Sequence, residues 1–236
     1  MIAIRRSEDR GKADRGWLNA RFSFSFADYF DPEHMGFRVL RVLNDDWIAP
    51  GRGFGPHAHR DMEIITYVLE GALLHRDSTG ESHILKPNEV QTMTAGNGIV
   101  HSEFNASDVE PSRSIQIWIT PAAEDLTPSY QQVAFDPAEK LGKLRLLAGP
   151  ESSPQAQATI IHQDASLYVA ELHVGEGLNV TRTPQRHTWI QVVRGEILFN
   201  GELLKDGDGA AISDEPALVT TGQGTNGGEF LLFDLP

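Results

Sequence analysis

The chain has 236 residues, of which 22% are charged and 40% apolar, and its formal net charge is -13 at pH 7. That length allows one large or two smaller domains with a true core, while the acidic balance argues against direct nucleic-acid binding and against attraction to anionic membranes. There is no cysteine, which excludes disulfides, thiolate nucleophiles and Cys-ligated metals, so any metal must be held by nitrogen and oxygen.

The N-terminal Met1-Ile-Ala-Ile-Arg5 lacks the apolar centre of a secretion signal, and no stretch reaches the length of a membrane span, so the cytoplasm is the expected compartment. Phe22, Phe24 and Phe26 alternate with Arg21, Ser23 and Ser25, the period of a half-buried strand. Phe37 to Leu43 reads as a second strand, ended by the polar run Asn44-Asp-Asp46. Then Gly51-Arg-Gly-Phe-Gly-Pro-His57-Ala-His59 leads through a glycine-rich turn into the apolar run Ile64 to Leu69, which stops at Glu70-Gly71. In a strand, residues i and i+2 share a face, so His57 and His59 aim two imidazoles at one point. Alone, such a pair could equally be polar residues at a strand entry. Further short strands, Leu73 to His75 and His83 to Leu85, are separated by turn residues at a spacing that predicts a sandwich or barrel rather than βαβ units.

The second pair decides. Thr94-Ala-Gly96-Asn-Gly98-Ile-Val-His101-Ser-Glu103 again delivers two potential ligands, His101 and Glu103, at i, i+2 after a glycine turn. Paired across a barrel, the two strands would supply three imidazoles and one carboxylate, a set that suits a divalent transition metal and leaves room for water or substrate. Nitrogen and oxygen ligands fit Fe(II), Ni, Mn, Co, Cu and Zn alike and do not choose among them, with Fe(II) taken as the first expectation. Ser114 to Ile119 follows as a strand carrying Gln116 and Trp118 on one face, expected as pocket lining, and Phe54 is expected as a further apolar wall residue.

Pro121 to Pro128 changes in composition like a linker, which places two domains at 1–133 and 134–236 with Tyr130 to Pro137 as the bridge. The second half repeats the first: Tyr67-Val-Leu-Glu-Gly71-Ala-Leu-Leu74 corresponds to Gln191-Val-Val-Arg-Gly195-Glu-Ile-Leu198. Anchored on those glycines, His57 and His59 fall on Thr181 and Thr183, and Glu63 falls on His187; His101 and Glu103 fall near Thr220 and Gly222. The repeat therefore predicts two all-β barrels, of which only the first carries metal ligands.

The spacing Gly-x5-His-x-His-x3-Glu from Gly51 to Glu63, with Gly98-x2-His101-x3-Asn105, resembles the two cupin motifs. More narrowly, Gly53 to Arg60, Thr66 to Gly71, His75-Arg-Asp-Ser78, Met93 to Glu103 and Gln191 to Gly201 resemble the pirin family over nearly the whole chain. Asp61-Met-Glu-Ile64 is similar to a bacterial branch known for quercetin 2,3-dioxygenase activity. The resemblance implies a jelly-roll bicupin with His57, His59, His101 and Glu103 as metal ligands. Glu63, a ligand in many other cupins, is not one in pirins; strand parity with the histidines makes it a pocket or supporting residue here. Asn88 replaces a usual glycine, which a left-handed turn tolerates.

The activity implied is opening of a flavonol heterocycle by O2 with release of CO, with Glu103 as general base. Flavonol and O2 are then the small-molecule partners, and a monomer is expected. The alternative is a metal-binding regulator without catalysis, acting through a protein partner.

Overall fold

The computed structural model describes residues 2–153 and 157–236. The regular structure is nearly all strand, 59% against 3% helix, and the chain divides into two compact units. One unit comprises Gly11–Phe135 with Ala148–Gln163; the other comprises Met1–Arg10, Asp136–Leu147 and Asp164–Pro236. The division is therefore interleaved in sequence, whereas composition suggested a single cut at 133/134. The tract 121–128 is no free linker, because Leu126 accepts a hydrogen bond from the Asn97 backbone within its unit. Ser129–Ala134 is likewise not a bridge but an edge strand, paired with Glu89–Thr94.

The first of these units contains two antiparallel sheets. The larger has seven strands in the order Ser129–Ala134, Glu89–Thr94, Glu63–Glu70, Ser112–Ile119, Leu40–Ile48, Leu18–Phe22 and Gly11–Asp14. The smaller has four, Gly53–His59, Ile99–Asn105, Leu73–Asp77 and Ser82–Leu85. Leu18, Ala20, Phe22, Ile48 and Val68 of the larger sheet pack with Leu73 and Leu85 of the smaller one, so the two sheets close over a shared apolar core. Such burial supplies the main driving force of folding. Within the larger sheet a buried bidentate pair joins Arg113 to Asp45 at 2.9 and 2.8 Å, and the Arg113 guanidinium lies 4.5 Å from the Trp47 ring centroid.

Two strands differ from the alternation pattern. The strand expected to continue to Phe26 ends at Phe22. The next strand starts later than expected, at Leu40, and runs straight through Asn44-Asp-Asp46 to Ile48. Those polar residues do not end it; they are buried within it.

The other unit is built on the long strands His187–Phe199 and Ala217–Leu235, flanked by Ser166–Leu172 and Gly209–Ile212, with Ile2–Arg5 paired to the latter. Ile190, Val192, Phe199, Phe230 and Leu232 form its core. Gly195 takes φ 69, as Gly71 does in the corresponding turn. Among the described residues no helix is long and apolar enough to cross a membrane.

A candidate metal centre

The Gly53–His59 strand lies at the edge of its four-stranded sheet and pairs antiparallel with Ile99–Asn105. His101 stands directly opposite His57, and Ile99 opposite His59. The register then shifts: Glu103 pairs with Phe54, so the edge strand carries an extra residue around Gly55 and Pro56. Proline has no N–H to give a ladder, and an edge-strand bulge is where that costs least. Gly53 meets Phe104 so closely that a Cβ there would collide with the Glu103 carbonyl oxygen.

This pairing brings His57, His59 and His101 together, each offering a nitrogen, with all three within 4.8 Å of one another. The ring centroids are 4.7, 4.5 and 4.8 Å apart. His57 Nδ1 lies 2.8 Å from the Gly55 carbonyl, which as a donor leaves Nε2 to face the other rings. The His59 ring stands edge-on to Trp118 at 4.9 Å. Burial and the neighbouring imidazoles push His101 down to about 3 and His59 down to about 4, so both rings keep a lone pair free at neutral pH. His101 is 2% exposed, yet neither of its nitrogens has a hydrogen-bond partner. A buried polar group of that kind costs free energy unless something pairs it. A divalent transition metal fits this all-nitrogen set.

Glu103 is also buried, and its carboxylate is held by neutral donors. Gln116 Nε2 donates to Oε2 at 2.8 Å, while Thr66 Oγ1 and Gln91 Nε2 reach Oε1 at 3.2 and 3.4 Å. Its oxygen, His101 and His75 make a second group of potential ligands within 4.8 Å, so His101 is common to both groups. The sequence reading missed His75 as a site residue. Fully buried, it pairs through Nε2 with Asp77 Oδ2 at 3.0 Å, and its ring lies 5.3 Å from that of His101. Burial raises the Asp77 carboxyl, but hydrogen bonds from Thr79 and His75 outweigh it and hold the group below its ordinary value. The signal was present as another i, i+2 pair on one strand face.

Glu63 is elsewhere, a correction to its expected place beside the histidines. Its carboxylate accepts from Thr94 Oγ1 at 2.9 Å and pairs with His162 Nδ1 at 3.0 Å. Parity fails because the chain turns between the two strands, with Asp61 at φ 49. Ile64 and Thr66, not Glu63, face the centre: Ile64 lines the cavity and Thr66 bonds Glu103. Burial pushes the Glu63 carboxyl up, against the hydrogen bonds of Thr94 and His162.

The three histidines open onto a cavity of about 710 Å³ whose walls include Trp17, Phe22, Phe26, Tyr29, Phe54 and Trp118. Its polar lining on the strand side includes Gln116, Glu103, Asn44 and Asp46. The expected lining residues Phe54, Gln116 and Trp118 thus all reach it. Thr181, Thr183 and His187 gather no comparable set: among the described residues both ligand groups lie in the unit containing Gly11–Phe135.

Two cupin-type domains, one of them holding a candidate His/Glu metal site under an aromatic cavity, define a bicupin. The pirin family model matches residues 4–119, and a model described as the quercetinase C-terminal cupin domain matches 146–235. The chain is 44% identical over 238 residues to quercetin 2,3-dioxygenase of Escherichia coli K12, spanning 100% of this chain and 99% of that one. The crystal structure of YhhW from Escherichia coli superposes with a TM-score of 0.94 at 43% identity, covering 100% of this chain and 98% of that one. A crystal structure of the bacterial pirin YhhW in complex with nickel(II) gives 0.93 at 42% identity, covering 100% and 99%. The chain belongs to the pirin family.

Proposed function

We propose that the chain is a metal-dependent flavonol 2,3-dioxygenase acting on quercetin-like substrates. The observation that carries this reading is the buried His101, whose two unpartnered nitrogens sit with His57 and His59 at the floor of an aromatic cavity. A cavity of about 710 Å³ falls inside the roughly 300–1,000 Å³ typical of small-molecule sites. Its relatives' names point to the same substrate class.

His57, His59, His101 and Glu103 would hold the metal, with Fe(II) the first expectation and nickel the ion of the solved relative. When bound, the metal supplies Lewis-acid stabilisation of the deprotonated flavonol and a template for O2. The protein's own groups do the rest. Glu103 takes the proton of the flavonol 3-hydroxyl at a carboxylate oxygen, and Gln116 and Thr66 keep that carboxylate oriented through their hydrogen bonds. Trp118, Phe26 and Phe54 hold the flat rings and exclude water from the reacting face. O2 then opens the heterocycle, and CO leaves.

Oxygen uptake and CO release with quercetin, measured for the wild type, His101→Ala and Glu103→Ala after elemental analysis of each, tests the assignment. Both variants should lose turnover by at least about a hundredfold, the usual scale of a missing acid–base or ligand group. Wild-type turnover in either variant would remove it from the machinery.

A further inference from the structure

Among the described residues, two side chains that line the aromatic cavity carry buried polar atoms without a hydrogen-bond partner, His101 and Asn44. A metal held with His57 and His59 would take one nitrogen of His101. It leaves Asn44 unanswered, since that side chain belongs to neither group of potential ligands.

Asn44 lies in the middle of the Leu40–Ile48 strand, between Phe22 on one side and Gln116 on the other. Directly opposed residues in an antiparallel pair share a face, with Cβ atoms about 5 Å apart, so the Asn44 and Gln116 side chains leave the sheet side by side. Gln116 is already committed, since its Nε2 donates to Glu103 at 2.8 Å. Asn44 is 2% exposed, and its Oδ1 accepts nothing. Its neighbours on the cavity wall are Phe22 and Gln116 across the ladder and the buried Asp46 two residues along its own strand face. A leucine would pack there without an orphaned acceptor, and an unpaired buried carbonyl is the costlier choice.

We propose that Asn44 is a substrate-recognition residue whose carboxamide pairs with a phenolic hydroxyl of a polyhydroxylated flat aromatic bound in the cavity. This rests on the flavonol reading of the same cavity and sharpens it, because it selects hydroxyl-rich members of the class over their bare skeletons. A site that leaves its own polar group unpaired when the hydroxyl is missing discriminates far better than an apolar pocket that only measures size.

The test is calorimetric binding to the as-purified protein in the absence of O2, so that no turnover intrudes. The probes are quercetin and 3-hydroxyflavone, which shares the ring system and the 3-hydroxyl but lacks the other hydroxyls. The wild type should prefer quercetin by roughly tenfold or more, the worth of one well-placed hydrogen bond in a buried site. In Asn44→Leu that ratio should collapse towards one through weaker quercetin binding, with 3-hydroxyflavone unchanged or tighter. Asn44→Ala, which needs no new packing, should show the same collapse should the leucine variant prove unstable. A preference that survives in the variants, or an equal loss for both probes, overturns the assignment. Oxygen uptake is scored separately: the predicted binding pattern without turnover leaves Asn44's role standing and removes the dioxygenase. Absence of binding by the wild type removes both.

Discussion

Gln116→Leu removes the shortest hydrogen bond to Glu103, the 2.8 Å contact from Nε2 to Oε2. Glu103 is 3% exposed, so water cannot substitute freely. The remaining donors, Thr66 and Gln91, lie at 3.2 and 3.4 Å and both serve Oε1, which leaves Oε2 without a donor. A hydrogen bond to a charged group in such a setting contributes about 1.5–3 kcal/mol, or roughly a 10- to 150-fold change in how often the carboxylate holds its working orientation. For the proposed flavonol turnover, kcat/KM should therefore fall by about tenfold or more, mostly through kcat, because the aromatic walls of the cavity are untouched. Metal affinity, read by competition with a chromophoric chelator, should weaken in parallel. Gln116→Glu should not rescue, since it presents an acceptor to an acceptor. Should Gln116→Leu turn over and bind metal as the wild type does, Glu103 is oriented by something other than these donors, and its assignment as base loses its support.

Gly53→Ala should be among the most damaging single-methyl changes in the chain, because its Cβ meets the Glu103 carbonyl oxygen and Phe104 across the ladder; loss of metal stoichiometry together with a lowered melting temperature checks it. Arg113→Met leaves Asp45 buried without its bidentate partner and should cost about 3–5 kcal/mol in urea denaturation, while Arg113→Met with Asp45→Leu should recover most of that loss. The Glu63 carboxyl is raised by burial, so in the window between its unfolded and folded pKa the folded chain binds more protons than the unfolded one. Its contribution to stability is then full below the unfolded pKa and is lost as pH rises through the folded one. Glu63→Gln should flatten that part of the stability–pH curve, and an unchanged slope would contradict the reading.

The strands that carry His57, His59, His101 and Glu103 could be read from the sequence because each follows a glycine turn and alternation is a local property. What lay beyond reach depended on partners. Asn44-Asp-Asp46 looks like a strand terminator in sequence, since polar runs usually mark the surface, yet here the run continues a strand whose inner face borders a cavity. Counting residues carried Glu63 to the wrong face because a turn resets the parity. The pairing of Ile2–Arg5 with Gly209–Ile212 leaves no periodic trace, as the partner lies some two hundred residues away.

That last pairing also bears on the order in which the chain can be completed during synthesis. The unit holding the histidines contains every one of its residues once Gln163 has been made, whereas the other unit begins with Met1–Arg10 and must wait for strands up to Pro236. Domains tend to fold as units while the chain emerges, so the barrel with the candidate metal site can close first, with the leading strand held in reserve until Gly209–Ile212 arrives. A bulky fusion ahead of Ile2, or a cut after Arg10, would then burden the unit without the candidate ligands and leave the barrel that carries them whole.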